Sequence, residues 1–190
     1  PEFPVARISG APEPLDVDVA ILDSGIEPHE DLNVFTNHTV FDDELYAEFP
    51  HDNYGHGTAV AGVLGALDNG IGIVGVAPGV RIWNVQCWGP PPLNTWINFV
   101  QGVEYVVQNA DRISVVNLSL SNEGCAPISA IRGATRNLVR SGIVVVAGAG
   151  NFTNDLAGPD KIYGTCDDAL PASSPYSMAV SGMDASIYAP

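Results

Sequence analysis

The sequence is poor in basic residues: 7 Lys and Arg stand against 22 Asp and Glu, and the formal net charge is -15. A protein that binds nucleic acid neutralises phosphates with Lys and Arg, so this balance argues against a nucleic-acid partner. No apolar run reaches the roughly 20 residues that a membrane-spanning helix needs, so no membrane partner is expected either. The acidic residues are spread along the chain, which is typical of a solvated surface.

Cysteine is also scarce, with three residues and no Cys-x-x-Cys pair, which argues against a zinc site. Cys125 and Cys166 both lie in segments flanked by Gly or Pro, and we expect a disulfide between them in an oxidising compartment. Cys87 ends an apolar run and is expected to be a buried thiol. The chain begins Pro-Glu-Phe rather than with Met, from which we expect a processed or excised piece.

Hydrophobic residues make up 46% of the 190 residues, enough for one domain with a core over residues 1–190. Apolar, β-branched runs predict five buried strands, over Val17–Leu22, Val80–Cys87, Ile113–Leu120, Ile143–Ala149 and Met178–Ser181. Composition and apolar spacing predict three helices, over Thr58–Leu67, Thr95–Gln108 with Asn94 as its N-cap, and Ile128–Arg140. Strands that alternate with helices predict an α/β fold, with a mainly parallel sheet covered on both faces in three layers, α/β/α.

Two predicted strands carry a polar residue at the carboxyl end, a third polar candidate stands at the start of a predicted helix, and ligands bind at the carboxyl edge of a parallel sheet. Asp23 directly follows the first strand, where a buried carboxylate needs a partner. His56 lies between two glycines, which let other groups approach closely, and Asn151 follows a Gly-rich strand end. Taken alone, Asp23 is equally explained as a helix cap or turn residue, His56 as a structural histidine and Asn151 as a turn residue.

Together these segments resemble the subtilase family of serine proteases. The match begins at about residue 17, and its motifs stand in family order at family-like spacing. The resemblance is carried by Asp23-Ser24-Gly25, His56-Gly57-Thr58, Gly72–Pro78, Val116–Leu120 and Ala149-Gly150-Asn151.

The resemblance implies a serine endopeptidase with an Asp-His-Ser triad. His56 would act as general base toward the serine and then as general acid toward the leaving amine. Asp23 would orient the imidazole, and the side-chain amide of Asn151 would donate to the oxyanion of the tetrahedral intermediate. A peptide or protein substrate would bind as an extended strand between two walls, one formed by Ser119, Leu120 and Ser121, the other by Gly148, Ala149 and Gly150.

The resemblance also implies a structural calcium ion. Asp31 matches the family's carboxylate ligand, and the loop residues that match its other ligands are Leu67, Asn69, Ile71 and Ile73. Asn69 would give a side-chain oxygen and the other three would give backbone carbonyl oxygens, a mixture that suits calcium. The alternative is that the segment 68–70 is only a turn that ends a helix.

The sequence departs from the family pattern at the nucleophile, because the string Gly-Thr-Ser-Met-Ala occurs nowhere in it. The nearest string contains Ser177, but it lacks the Gly-Thr, follows Pro175 and matches the strand after the oxyanion loop. We therefore interpret the chain as the N-terminal two-thirds of a subtilisin-like catalytic domain whose C-terminal part is missing. A second chain or fragment would supply the Ser, and a propeptide or an inhibitor is a further expected partner.

Three classes of function remain open. The first is a secreted, extracellular serine endopeptidase, and the second is a catalytically inactive subtilase-like module that binds a peptide or a partner protein. A second polypeptide that carries an activated serine would separate these two. The third is a Rossmann-like nucleotide-binding domain, for which the segment 148–150 is a hint. A full Gly-x-Gly-x-x-Gly is absent, and Asp23-Ser24-Gly25 stands where that fold has its Gly-rich turn.

Overall fold

A computed structural model describes residues 15–41, 52–89, 94–122, 125–151 and 155–182. Within these ranges the six strands are β1 (Asp18–Asp23), β2 (Val34–Thr39), β3 (Arg81–Gln86), β4 (Ile113–Leu118), β5 (Val144–Gly148) and β6 (Met178–Val180). The three helices are α1 (His56–Gly65), α2 (Trp96–Gln108) and α3 (Ile128–Arg140). None of these described helices is long and apolar enough to cross a membrane.

The six strands form one parallel sheet in the order β2-β3-β1-β4-β5-β6. The strand β1 lies between β3 and β4 and is buried along its whole length. The chain places β2 and β3 on one side of β1 and β4 to β6 on the other, so the winding reverses between β1 and β4. Ligands bind outside the carboxyl ends of the strands at such a reversal, which here means the ends of β1 and β4.

Helices cover both faces of the sheet. Neighbouring residues of a strand point to opposite faces, so each strand contributes side chains to two cores. On one face, Val19 and Ile21 of β1 pack with Ile82 of β3 and with Ala61 of α1. On the other face, a larger core joins β1, β3, β4 and β5 to α2 and α3 around the fully buried Phe99. The predicted α/β class with a mainly parallel sheet in three layers is therefore confirmed.

The predicted strands and helices are present, with boundaries that differ by at most two residues. The helix α1 begins at His56 rather than at Thr58, so the histidine belongs to the first turn of the helix. The cap of α2 is Thr95, whose side chain accepts a hydrogen bond from the N–H of Asn98 (3.3 Å). The prediction of Asn94 as this cap was wrong, because Asn94 lies one residue too early to reach that N–H.

The strand β2 is not among the strands that the apolar runs of the sequence predict. Four of its six side chains are polar, and its residues alternate between half-buried and exposed. Among the described strands it stands at the edge of the sheet and pairs with β3 alone. An edge strand with one solvated face does not need the continuous apolar run that marked the other five.

The expected disulfide joins Cys125 to Cys166. Beside it, the N–H of Ala126 donates to the carbonyl oxygen of Cys166 (2.7 Å). The bond ties the segment before α3 to the loop between β5 and β6. Cys87 is a buried free thiol, as expected, and burial raises its pKa far above the ordinary value.

Candidate active site

Asp23 and His56 form a close pair at the carboxyl end of β1. Asp23 is the last residue of β1 and is only 4% exposed, and its Oδ1 lies 2.6 Å from Nδ1 of His56. An ionised carboxylate only accepts hydrogen bonds, so a neutral imidazole here carries its proton on Nδ1 and leaves Nε2 as an acceptor. The side chain of His56 is 55% exposed, so a ligand can reach it.

The carboxylate of Asp23 is short of hydrogen-bond donors. Burial raises its pKa, and the hydrogen bonds from His56 and from the N–H of Ser24 (2.7 Å) offset only part of that rise. Its other oxygen, Oδ2, is buried and has no hydrogen-bond partner among the described residues. A positive charge on the neighbouring ring would stabilise such a carboxylate, which suits Asp23 to hold an imidazolium.

The close approach of α1 to the end of β1 depends on Gly57, and the turn that leads into α1 depends on Gly55. A Cβ atom on Gly57 would overlap the carbonyl oxygen of Gly25 and lie 3.1 Å from Cβ of Asp23. Gly55, which precedes His56, has a left-handed backbone with φ of 73°, which glycine adopts without strain. The close approach that the sequence suggested around the histidine is therefore a property of the fold.

The imidazole of His56 opens into a cleft of two cavities, of about 260 and 220 Å³, that share several lining residues. His56 and the segment 119–121, which follows β4, line both of them. The first cavity is also lined by Asp23, Ser24, Tyr54 and Trp88, and the second by Gly148, Gly150 and Asn151. The cleft thus brings together residues from the ends of β1, β4 and β5, at the predicted edge of the sheet.

Asn151 and the end of β5 form the far side of the second cavity. Asn151 is exposed and follows Gly150, whose φ is 92°. The N–H of Ala149 donates to the carbonyl oxygen of Val180 in β6 (2.9 Å), which fixes this strand end. Ala149 is therefore held by the sheet, while its neighbours Gly148 and Gly150 line the cavity.

Ser177 is placed as a structural residue. It directly precedes β6, and its N–H donates to the carbonyl oxygen of Ser174 (3.1 Å). Its hydroxyl oxygen is buried and has no hydrogen-bond partner in the described part of the chain. Because a nucleophile must be reached by substrate, this burial supports the interpretation that Ser177 is not the nucleophile.

Four further residues lie at the site without a motif in the sequence that predicts their role: Ser24, Asp52, Tyr54 and Trp88. Tyr54 and Trp88 add aromatic surface to the cavity beside His56. Ser24 and Asp52 belong to a hydrogen-bond network beneath the Asp23–His56 pair. Asp52 stands three residues before the N-cap residue Gly55, so the usual capping position does not reveal it in the sequence.

Asp31 is a second buried carboxylate with an unpartnered oxygen. It is 4% exposed, and its Oδ1 is buried without a hydrogen-bond partner among the described residues. The N–H of Leu67 donates to its carbonyl oxygen (2.9 Å). A Cβ atom on Gly72, whose φ is 56°, would lie 2.8 Å from Oδ2 of Asp31. The absent side chain at this glycine therefore leaves space in front of the carboxylate.

The other predicted calcium ligands lie in the loop that Asp31 faces. The side-chain oxygen of Asn69 accepts a hydrogen bond from the N–H of Ile71 (2.9 Å), and Ile71 and Ile73 are exposed. No group of three His, Cys, Asp or Glu side chains among the described residues forms a metal cluster. A cation site here would therefore depend on backbone and amide oxygens beside the one carboxylate, a composition that calcium accepts.

Comparison with known proteins points to one family. The sequence profile of the subtilase family matches residues 16–188. Subtilisin DY of Bacillus licheniformis is 39% identical over 137 residues, which are 72% of this chain and 47% of that protein. Subtilisin Savinase of Lederbergia lenta is 36% identical over 135 residues, 71% of this chain and 48% of that protein.

The minor extracellular protease Epr of Bacillus subtilis (strain 168) is 32% identical over 139 residues, 73% of this chain and 20% of that protein. The chain thus spans less than half the length of these relatives. The family profile nevertheless covers nearly all of the chain. The chain belongs to the subtilase family, the serine proteases of the subtilisin type.

Proposed function

We propose that the chain supplies the Asp, the His and the oxyanion Asn of a serine endopeptidase that hydrolyses peptide bonds. One observation carries the proposal: the contact of 2.6 Å between Oδ1 of Asp23 and Nδ1 of His56, in a cleft that Asn151 also lines. Membership in the subtilase family supports the class of reaction.

His56 is the general base and the general acid of the proposed reaction. Its Nε2 takes the proton of the serine hydroxyl as the serine oxygen attacks the peptide carbonyl carbon. The same proton then passes to the leaving amine, and a second cycle with water releases the acyl group. Asp23 keeps the proton of the neutral ring on Nδ1 and stabilises the imidazolium between these steps. The short contact and the burial of Asp23 support these roles.

Asn151 donates a side-chain N–H to the negatively charged oxygen of the tetrahedral intermediate. It lines the same cavity of about 220 Å³ as His56, which supports this role. The substrate lies as an extended strand between the segments 119–121 and 148–150, at the carboxyl ends of β4 and β5. The small residues Gly148 and Gly150 leave room there for a substrate side chain.

The nucleophilic Ser comes from polypeptide outside these 190 residues, because the sequence contains no matching motif. Val144 of β5 (48%) and Met178 (60%) and Val180 (51%) of β6 are exposed apolar side chains on one face of the sheet, because Met178 pairs with Val146 and Val180 with Gly148. This is the face that α1 covers, since Val144 pairs with Val115, which packs against the cluster that contains Ala61 of α1. An exposed apolar surface of this kind usually marks a place that another polypeptide covers. We assign it to the segment that carries the Ser, which would thereby lie beside α1 and His56.

A structural calcium ion completes the proposal. The unpartnered Oδ1 of Asp31 and the space that Gly72 leaves in front of the carboxylate support it. The other ligands would be oxygens of Leu67, Asn69, Ile71 and Ile73. The bound ion would supply positive charge to a buried carboxylate and tie the loop after β1 to the loop after α1. No step of the hydrolysis involves this ion.

A secreted, extracellular location belongs to the same proposal. The disulfide between Cys125 and Cys166 supports an oxidising compartment. One relative is named an extracellular protease. A propeptide or an inhibitor would bind in the cleft as a substrate does, by extended pairing with its walls.

Intact mass spectrometry of the purified native protein, with and without a fluorophosphonate that labels activated serines, tests the proposal. We expect a labelled serine on polypeptide held together with this chain, whether in one molecule or as a second fragment. A native sample that folds but takes up no label would contradict the proposal. That result would favour the alternative, a catalytically inactive module that binds a peptide or a partner protein.

A further inference from the structure

The carboxylate of Asp52 accepts five hydrogen bonds, and every donor belongs to the surroundings of the Asp23–His56 pair. Its Oδ1 accepts from the hydroxyl of Ser24 (2.7 Å) and from the N–H groups of Tyr54 (3.2 Å) and Gly55 (2.9 Å). Its Oδ2 accepts from the N–H (2.8 Å) and the hydroxyl (2.6 Å) of Thr58. Asp52 is only 8% exposed, so solvent does not compete with these contacts.

These contacts reach Asp23 through Ser24, and they reach the residues on either side of His56, Gly55 directly and Gly57 through Ser24. Ser24, whose hydroxyl is held by Asp52, donates its N–H to Oδ1 of Asp23 (2.7 Å). The same hydroxyl accepts from the N–H of Gly57 (3.0 Å), the residue directly after His56. Asp52 therefore joins the end of β1 to the first turn of α1 through a single buried carboxylate.

Asp52 also occupies the electrostatically favourable end of α1. The N-cap residue Gly55 has no side chain to satisfy the free N–H groups of the first turn. A carboxylate near the amino end of a helix is stabilised by those groups and by the helix dipole. Burial alone would raise the pKa of Asp52, but hydrogen bonds from Thr58, Ser24 and the nearby backbone hold it below the ordinary value.

A second layer of contacts holds this network in place. The N–H of Asp52 donates to Oε1 of Glu27 (3.0 Å), and the N–H of Glu27 donates to the hydroxyl of Thr58 (3.0 Å). From the other side, the side-chain amide of Gln86 in β3 donates to the carbonyl oxygen of Ser24 (2.9 Å). The geometry of Asp52 is thus fixed from β1, β3 and α1 together.

We propose that Asp52 is a positioning residue, which holds Asp23 and His56 in register so that Nδ1 of the imidazole stays on the carboxylate. Its effect on catalysis rests on the proposed function, whereas its effect on the pair does not. The charge matters as well as the shape, because an amide at this position sets its N–H donors against a backbone N–H in either orientation, that of Thr58 or those of Tyr54 and Gly55.

The test compares Asp52→Asn with Asp18→Asn in the full protein that contains this chain. Asp18 is a matched control, since it is also a buried aspartate (3% exposed, against 8% for Asp52) that accepts several hydrogen bonds, and it lies at the amino end of β1, away from the pair. One readout is the pair of ring-nitrogen chemical shifts of His56 in alkaline solution, which report the fraction of each neutral tautomer. The other is kcat and KM toward a peptide substrate.

We expect the Nδ1–H tautomer of His56 in the parent and in Asp18→Asn, and a mixture of both tautomers in Asp52→Asn. In the protease, Asp52→Asn should lower kcat about 10- to 100-fold with little change in KM, as a misplaced catalytic group does. Thr58→Val removes one hydroxyl donor and should give a smaller change of the same kind. This variant replaces Asp52→Asn in the test if Asp52→Asn folds poorly.

An Asp52→Asn or Thr58→Val protein that keeps the parent's tautomer and the parent's kcat would overturn the proposal. Failure of the proposed function looks different: the parent itself would neither hydrolyse peptides nor take up fluorophosphonate. In that case the tautomer comparison still decides whether Asp52 positions the pair. A loss of kcat in Asp52→Asn that is matched by Asp18→Asn would show a structural effect alone and would also overturn the proposal.

Discussion

Two buried aspartates stand at opposite ends of β1, and their surroundings differ. Asp18, at the amino end, is 3% exposed, and Asp23, at the carboxyl end, is 4% exposed. Asp18 accepts hydrogen bonds from Nε of Arg81 (2.6 Å) and Nε1 of Trp83 (2.7 Å). Asp23 is paired with the imidazole of His56, and among the described residues its Oδ2 has no partner.

The same burial therefore has opposite results at the two ends. Burial alone would raise both pKa values, but hydrogen bonds from Arg81 and Trp83 and the charges of Arg81 and Arg112 hold the pKa of Asp18 below its ordinary value. At Asp23 burial prevails and the pKa is raised. A buried carboxylate that is saturated with donors stabilises the fold, whereas one that is short of donors is available to act on its neighbour.

The two ends of β1 should differ most in the effect of an Asn substitution on kcat. Asp23→Asn should lower kcat about 10⁴-fold, because an amide does not hold the imidazole in the required tautomer. Its stability at neutral pH should stay near that of the parent or rise, since the variant removes a buried, poorly paired charge. Activity assays and thermal unfolding on the same samples measure both. Asp18→Asn should leave kcat unchanged, and an equal loss in both variants would break the comparison.

The second prediction concerns the close approach of α1 to Asp23. Gly57→Ala places a methyl group against the carbonyl oxygen of Gly25 and should lower the unfolding free energy by about 1–3 kcal/mol. The variant should also lose most of the activity. Gly133 in α3 is a matched control, since a Cβ atom there meets nothing within 4 Å. Gly133→Ala should therefore be neutral or stabilising. Chemical denaturation measures both, and equal destabilisation would contradict the assigned role of Gly57.

The third prediction extends the comparison to Asp31, another buried carboxylate with an unpartnered oxygen. If calcium supplies the missing partner, chelation should lower the unfolding free energy by about 2.7 kcal/mol relative to a free calcium concentration of 100 times Kd. Asp31→Asn should remove this dependence on calcium, which thermal unfolding with and without chelator measures. A parent protein whose unfolding free energy does not change with calcium would contradict the proposed calcium site.

The smallest expected effect is on the pH dependence of the unfolding free energy. Asp18→Asn should cost about 2 kcal/mol at neutral pH, because a carboxylate that accepts from a charged donor is lost. The lowered pKa of Asp18 means that its contribution is full above the ordinary Asp value of about 4 and is lost as pH falls through the lowered value. The raised pKa of Asp23 means the reverse: its contribution is full below the ordinary value and is lost as pH rises through the raised one.

The two Asn variants should therefore differ from the parent with opposite pH slopes. As the solution becomes acidic, the advantage of the parent over Asp18→Asn in unfolding free energy should shrink. Over the same pH range the unfolding free energy of the parent should rise relative to that of Asp23→Asn. Denaturant titrations over an acid pH series measure both. Parallel slopes would show that the two carboxylates are in equivalent environments.

The sequence was informative where a single strand or helix determines a residue's place. Asp23, His56 and Asn151 follow apolar strands or stand at a helix start, and parallel strands bring such ends to one edge of the sheet. The pairing of Cys125 with Cys166 and the burial of Cys87 are likewise present in the structure. These features can be predicted from the order of the strands and helices and from their apolar faces.

Features that depend on contacts between distant segments were not predictable in this way. The helix α1 begins at His56 because Asp52 binds the N–H groups of its first turn, a contact that apolar spacing does not reveal. The strand β2 is half polar and is specified by pairing with β3. Trp88 lines the cavity only because β3 ends beside β1.

Two histidines of different surroundings test whether the Asp23–His56 pair activates the serine. His56 pairs with Asp23, whereas His38 is half-buried and stacks on Tyr105 with ring centroids 3.8 Å apart, so its loss tests only the fold. Fluorophosphonate labelling of the full protein should be retained in His38→Ala and abolished in His56→Ala, with both variants folded by circular dichroism. Undiminished labelling of a folded His56→Ala protein would contradict the claim that the Asp23–His56 pair activates the serine.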